Sequence, residues 1–214
     1  MTGTGVAGLL LSGGASRRMG CDKASIRVGG ESAAVRAARV LGSVADPVWE
    51  VGPSHCDLPN VREDPAGSGP VSAVAAGWKA LSAAGHRGPV LVLACDLPLM
   101  TIELLRWLAE LPEARTVIPV VGGHPQPVCS RWSEPDLERL VELHQNGYRA
   151  FKPMYETFDI AFVGPDDWKA VGSSRSLTDT DTPEDLRRLG IEWVAGEVSA
   201  ASASASADRV AGPR

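Results

Sequence analysis

Val6–Leu11 (VAGLLL) is apolar throughout and stops at a polar, glycine-rich stretch, Ser12–Lys23 (SGGASRRMGCDK). A short apolar run ended by a turn reads as a buried strand. The same texture returns at Pro89–Ala94 (PVLVLA), which stops at Cys95-Asp96-Leu97-Pro98. Pro47–Val51, Thr116–Val121, Gln126–Arg131 and Phe158–Val163 read as further strands, and Ile26–Val28 as a short extended piece. Helical periods lie between them. An Ala-rich helix starts at Glu31 or Ser32 and runs to Leu41. Val71–Ala84 places Val71, Val74, Ala75, Trp78 and Leu81 on one helix face. Thr101 caps a helix with Leu104, Leu105, Leu108 and Leu111 inward. Ser133 caps another, with Asp136 in the reciprocal position and Asn146-Gly147 as its end. Thr182 and Pro183 open the last. Strands alternating with helices predict an α/β fold, three-layered, with a mostly parallel central sheet.

Composition narrows the function classes. A length of 214 residues favours one domain. Hydrophobic residues make up 44% and charged residues 22%, which excludes wholesale disorder. No apolar stretch approaches the roughly 18 residues of a membrane span. The net charge of −5 argues against a duplex nucleic-acid binder. Cysteines 21, 56, 95 and 129 are too far apart for a zinc ribbon or a redox dithiol. No secretory signal is visible, so a reduced, cytoplasmic setting is expected. Residues 1–194 are expected to form the domain. Residues 195–214, with their SAASASASA run, are expected to be a disordered tail.

The chemistry concentrates in the glycine loop. Glycines after a first strand can turn backbone N–H groups toward phosphate. Gly13-Gly14-Ala15-Ser16-Arg17-Arg18 is neither a dinucleotide fingerprint nor a P-loop. Arg17, Arg18 and Lys23 lie within ten residues of the glycines, which suits a triphosphate; an exposed basic loop is the competing reading. Lysine is rare here, at only Lys23, Lys79, Lys152 and Lys169, which singles out the one in this loop. A carboxylate at the end of a buried strand, as at Asp96, is where α/β sheets gather ligands, and it suits Mg²⁺. A cap for the following helix is the alternative, but Thr101 already supplies one.

Leu10–Lys23 resembles the L-A-G-G-x-S-x-R-M-G-x-D-K signature of MobA-like nucleotidyltransferases, with Ser12 in place of Ala. Gly69-Pro70-Val71-Ser72-Ala73 resembles that family's G-P-L-A-G, Cys95-Asp96-Leu97-Pro98 its C-D-x-P, and Thr180–Leu186 its N-x-N-T-P-E-D-L. The resemblance spans about Val6 to Leu189 and is nearest to the molybdenum cofactor guanylyltransferase branch. It implies a Rossmann-like nucleotidyltransferase fold. It also implies transfer of GMP from GTP to the terminal phosphate of the molybdenum–molybdopterin cofactor, with Mg²⁺ as cofactor. Molybdoenzymes or their chaperones would then be downstream partners.

Residue by residue, the resemblance implies that Leu11, Ser12, Gly13, Gly14, Lys23, Asp64 and Asp96 bind nucleotide. Arg18, Lys23 and Asp96 would be catalytic, and Asp96 and Asp181 would bind metal. Asp22 either positions the loop or is a turn carboxylate. For Asp64 a turn role stands beside nucleotide contact, and Asp181 is a second metal ligand or a turn former. Gln126 and Pro127 sit where the family approaches the cofactor, and His124 lies in a nearby turn. Cys95 and Trp78 read as core. Two departures bear on the base and acceptor: Asp179 and Asp181 stand where the family has Asn, and Trp49–Ser54 lacks the family's Asn. The paired Asp resemble cytidylyltransferase relatives, whereas Gly13-Gly14 keeps the guanylyl pattern, so GTP is expected over CTP. A cytidylyltransferase, another small-substrate nucleotidyltransferase, or a non-catalytic cofactor-binding protein are the alternatives.

Overall fold

The first strand, β1 (Ala7–Leu11), is buried along its whole length. The structure is a computed structural model and describes residues 5–13, 22–112 and 114–194. A 3₁₀ turn at Lys23–Ser25 leads into two short strands, β2 (Arg27–Val28) and β3 (Glu31–Ser32), then α1 (Ala33–Gly42). Next come β4 (Val48–Val51), β5 (Asn60–Val61), α2 (Pro70–Ala83), β6 (Val90–Ala94), α3 (Ile102–Glu110) and β7 (Thr116–Val121). The chain continues with β8 (His124–Pro125), β9 (Cys129–Trp132), α4 (Glu134–Gln145), β10 (Ile160–Val163), α5 (Pro165–Trp168), α6 (Pro183–Arg188) and β11 (Trp193–Val194).

The main sheet runs β10-β7-β9-β6-β1-β4-β5, with β8 paired to β7. β1 is parallel to both β4 and β6, β4 to β5, and β7 to β10. β9 is antiparallel to β6 and β7. The expected α/β fold with a mostly parallel sheet is therefore present, and β9 is its one reversed member among the strands linking β10 to β5. One face carries α2 and α4 over a core that includes Leu9, Val74, Trp78 and Leu137; the other carries α1 and α3 over Leu10, Leu41, Leu93 and Leu105. These are the three layers.

Local chemistry explains the element ends. α1 starts at Ala33 rather than at Glu31 or Ser32, which form β3; Ser32 caps it, its hydroxyl accepting from Val35 N. The face Val71, Val74, Ala75, Trp78 and Leu81 is buried as its period requires. At Gly77 a Cβ would lie 2.7 Å from Leu9 Cδ2, so glycine lets α2 lie close on β1. Ser133 caps α4, but the reciprocal bond differs from expectation. The Asp136 carboxylate accepts from the hydroxyls of Ser133 and Thr116, and Ser133 N–H goes to Thr116 Oγ1 instead. The capping side chain thus ties α4 to β7.

The chain leaves β1 through α1 to β4 and β5 on one side, then returns through α2 to β6 on the other. The crevice between the carboxyl ends of β1 and β6 is therefore where strand order reverses, the position at which open α/β sheets bind ligands. A small antiparallel sheet, β11-β2-β3, stands beside it.

Candidate active site

Leu11 pairs with Ala94 in the β1–β6 register, so Ser12-Gly13 and Cys95-Asp96 leave the sheet side by side. Cys95 N–H donates to the Leu11 carbonyl at 3.0 Å. Lys23 arrives from the 3₁₀ turn, which Asp22 caps by accepting from Ala24 N at 3.1 Å. Asp181 comes from the far end of the chain. Thr180 brings it in, donating its N–H (3.0 Å) and hydroxyl (3.2 Å) to the Asp96 carbonyl. Pairing of β11 with β2 and packing of Leu186 on Ile26 hold this C-terminal segment against the Lys23 turn.

Three of the predicted residues therefore meet. Lys23 Nζ donates to the Asp181 carboxylate and lies 3.6 Å from Asp96 Oδ2. Burial pushes the Lys23 ammonium pKa down, but Asp181 and Asp96 outweigh it and leave it raised. Burial raises the Asp96 carboxyl pKa, and the negative charges of Asp179 and Asp181 add to the rise against the pull of Lys23. Among the described residues, Asp96, Asp179 and Asp181 bring more carboxylate than ammonium charge to Lys23.

That imbalance, and the convergence of Asp96 and Asp181 oxygens on one cationic atom, suit a hard divalent cation. Among the described residues no three His, Cys, Asp or Glu side chains form a metal cluster by themselves. An ion here would take its remaining ligands from phosphate and water, as Mg²⁺ commonly does.

The other candidates divide. Leu11 is buried and its backbone serves the sheet. Ser12 is also buried; its N–H donates to the Val51 carbonyl at 3.1 Å and its hydroxyl to Glu50 Oε1. At Gly13 a Cβ would sit 3.5 Å from Gly52 Cα and 3.8 Å from Glu63 Oε1, which is ordinary contact. Gly13 is therefore not required by its described neighbours. Asp64 is exposed in a turn next to Pro65 and lines a groove of about 420 Å³ with Glu63, Ser72, Lys79 and His144. Gly14 and Arg18 lie outside the described residues, as does the segment 195–214. His124 is exposed on β8, and its carbonyl accepts from Gln126 Nε2 at 3.2 Å. Cys95 is buried, and burial pushes its thiol pKa well up. Trp78 is a core residue with Nε1 donating to Glu138.

Sequence reasoning missed four residues at this site: Glu50, His55, Glu63 and Thr180. Glu50 is fully buried at the end of β4 and takes the Ser12 hydroxyl. His55 Nε2 lies 3.1 Å from Asp22 Oδ2. Glu63 is buried and accepts from Gly67 N at 2.9 Å. A carboxylate flanked by apolar strand residues, as in Trp49-Glu50-Val51, is the one signal that marked any of them.

The family model of the MobA-like NTP transferase domain matches residues 8–158. A Mycobacterium avium relative named "Probable molybdenum cofactor guanylyltransferase" is 31% identical over 195 residues, covering 86% of this chain and 94% of its own. Molybdopterin-guanine dinucleotide biosynthesis protein A from Archaeoglobus fulgidus superposes with a TM-score of 0.69 at 19% identity, covering 86% of this chain and 96% of that one. The Mycobacterium tuberculosis protein Rv0371c in complex with manganese superposes with a TM-score of 0.55 at 13% identity, covering 87% and 98%. The fold is shared with both structures. The family match over 8–158 and the relative at 31% identity show that the chain belongs to the MobA-like NTP transferase family of nucleotidyltransferases.

Proposed function

We propose that the chain transfers GMP from GTP to the terminal phosphate of the molybdenum–molybdopterin cofactor. The observation that carries this reading is the meeting of Lys23, Asp96 and Asp181 at the β1–β6 crevice beside the glycine loop. The name of the Mycobacterium avium relative supports the choice of reaction. An oxygen of the cofactor's phosphate attacks the α-phosphorus of GTP. The bond from that phosphorus to the bridging oxygen breaks, and pyrophosphate leaves with its electron pair.

Both reactants are anions, so the protein must hold them together and offset charge. Gly13 and Gly14 give the nucleotide close access to backbone. Arg18 and Lys23 are assigned to offset the triphosphate charge, and Asp64 to contact the nucleotide. Asp96 and Asp181 would hold Mg²⁺, which when bound would supply positive charge against the phosphate oxygens and the leaving group. Residues 1–194 form the catalytic domain, a reading supported by the pairing of β11 with β2 at its far end. A cytoplasmic setting fits the three cysteines 56, 95 and 129, which are free thiols. Molybdoenzymes or their chaperones receive the product.

GTP is preferred to CTP in this reading because Gly13 leaves the purine side open. Asp179 and Asp181 favour a cytidylyl reaction as the second reading. Incubating the protein with Mg²⁺, the cofactor and each nucleoside triphosphate, and following pyrophosphate, separates the two. Release with GTP alone supports the proposal. Release with CTP alone transfers the assignment to the second reading, and release with neither refutes both.

A further inference from the structure

The connection between β4 and β5 touches both ends of the loop that lies outside the described residues. At the entry, Glu50 accepts from the Ser12 hydroxyl on Oε1. The same carboxylate accepts from His55 N (2.8 Å) and Cys56 N (2.9 Å), which folds the connection back over the strand end. Gly52 closes this contact. A Cβ there would lie 2.3 Å from Ser12 Oγ and 2.7 Å from Gly13 N, and its φ of +153° favours glycine. At the exit, His55 Nε2 stands 3.1 Å from Asp22 Oδ2, while Asp22 Oδ1 caps the turn that carries Lys23.

One carboxylate and one imidazole thus fix the two feet of the loop relative to each other. The His55 side chain is 12% exposed and Asp22 30%, so the pair is partly shielded from water. Asp22 and the Lys23 turn are thereby held in place before a triphosphate meets Lys23.

We propose that His55, held by Glu50 and paired with Asp22, is a positioning residue for nucleotide binding. It touches no substrate and acts by setting Asp22 and, through it, the Lys23 turn. This rests on the reading of the loop as the triphosphate site. It adds a role for His55, the residue that follows the Trp49–Ser54 stretch lacking the family's Asn.

The test measures the dissociation constant of Mg²⁺-GTP and Mg²⁺-CTP by calorimetry, at least about 20 °C below each variant's melting temperature. His55→Ala is expected to weaken binding of the preferred nucleotide by about tenfold, the order expected for losing one partly buried charged contact. His55→Gln, whose amide can still donate to Asp22, should recover to within about threefold of wild type. In an Asp22→Ala background, His55→Ala should add nothing further. Wild-type affinity in His55→Ala, even with a lowered melting temperature, would overturn the proposal. An equal loss with and without Asp22, or no rescue by Gln, would do the same. A wild-type protein that binds neither nucleotide would instead refute the underlying functional reading, and this proposal with it.

Discussion

Glu50 is a carboxylate with no exposed surface, and three donors explain why the sheet tolerates it. Its oxygens accept from Ser12 Oγ, His55 N and Cys56 N. Glu50→Gln would turn an N–H₂ toward one of those donors. The expected cost is about 1–3 kcal/mol, the usual price of one unsatisfied buried group, read as a fall in denaturant midpoint; an unchanged midpoint would mean that the donors are not needed. His55 adds a pH signature. The Asp22 carboxylate 3.1 Å away, opposed by burial and helped by Glu50 against Arg62, raises its pKa. Burial alone would raise the Asp22 carboxyl pKa, but His55 and the Ala24 amide overcome it and leave that pKa lowered. For a histidine raised on folding, the stabilisation is complete below its unfolded pKa of about 6.5 and fades as pH rises through the folded value. The melting-temperature gap between wild type and His55→Ala should therefore be largest near pH 6 and shrink toward pH 9, corresponding to about 1 kcal/mol at its widest. A gap that grows with pH would contradict this. Lys23 was legible in the sequence because it is a rare residue in a distinctive loop. Glu50 was not, because its partners lie 38, 5 and 6 residues away and only the folded register joins them. Lys23→Ala should lower kcat/KM for GTP by about two to three orders of magnitude, and a wild-type rate would return the loop to a solvated surface.

At the scale of elements, period and capping residues located most of the fold. The 3.6-residue period of α2 and the apolar runs of β1 and β6 depend only on which faces are buried, and burial is written locally. The place of β9 is not written locally. Its sequence, Cys-Ser-Arg-Trp, carries two polar residues although all four are buried, and its insertion between β6 and β7 depends on pairings across the sheet. β2, β3 and β11 are two residues each, too short for any period, and their register sets where Lys23 and Asp181 meet. Thr180 likewise looks like one more turn residue until its two bonds to Asp96 are seen. Gly77 supplies a test of element packing. A methyl group there would press on Leu9, with a further approach of 2.9 Å to Val51 Cγ2. Gly77→Ala should gain helix propensity but lose more to overpacking, with a net destabilisation of about 1–2 kcal/mol. Thermal or denaturant unfolding that showed a stabilised variant would contradict the close seating of α2 on β1.

For the whole molecule, the site owes its composition to topology. Residues from the first strand, the sixth strand and the C-terminal helix entry converge because the strand order reverses between β1 and β6 and because the small sheet folds the chain end back onto the Lys23 turn. The central claim is transfer of a nucleotidyl group, and the fate of the phosphates tests it most directly. The protein would be incubated with Mg²⁺, the molybdenum–molybdopterin cofactor and GTP labelled with ³²P at either the α or the γ position. α-Label is expected to move into the cofactor fraction while γ-label leaves as pyrophosphate. Transfer of the γ-label to the cofactor, or retention of both labels in GTP, would contradict it.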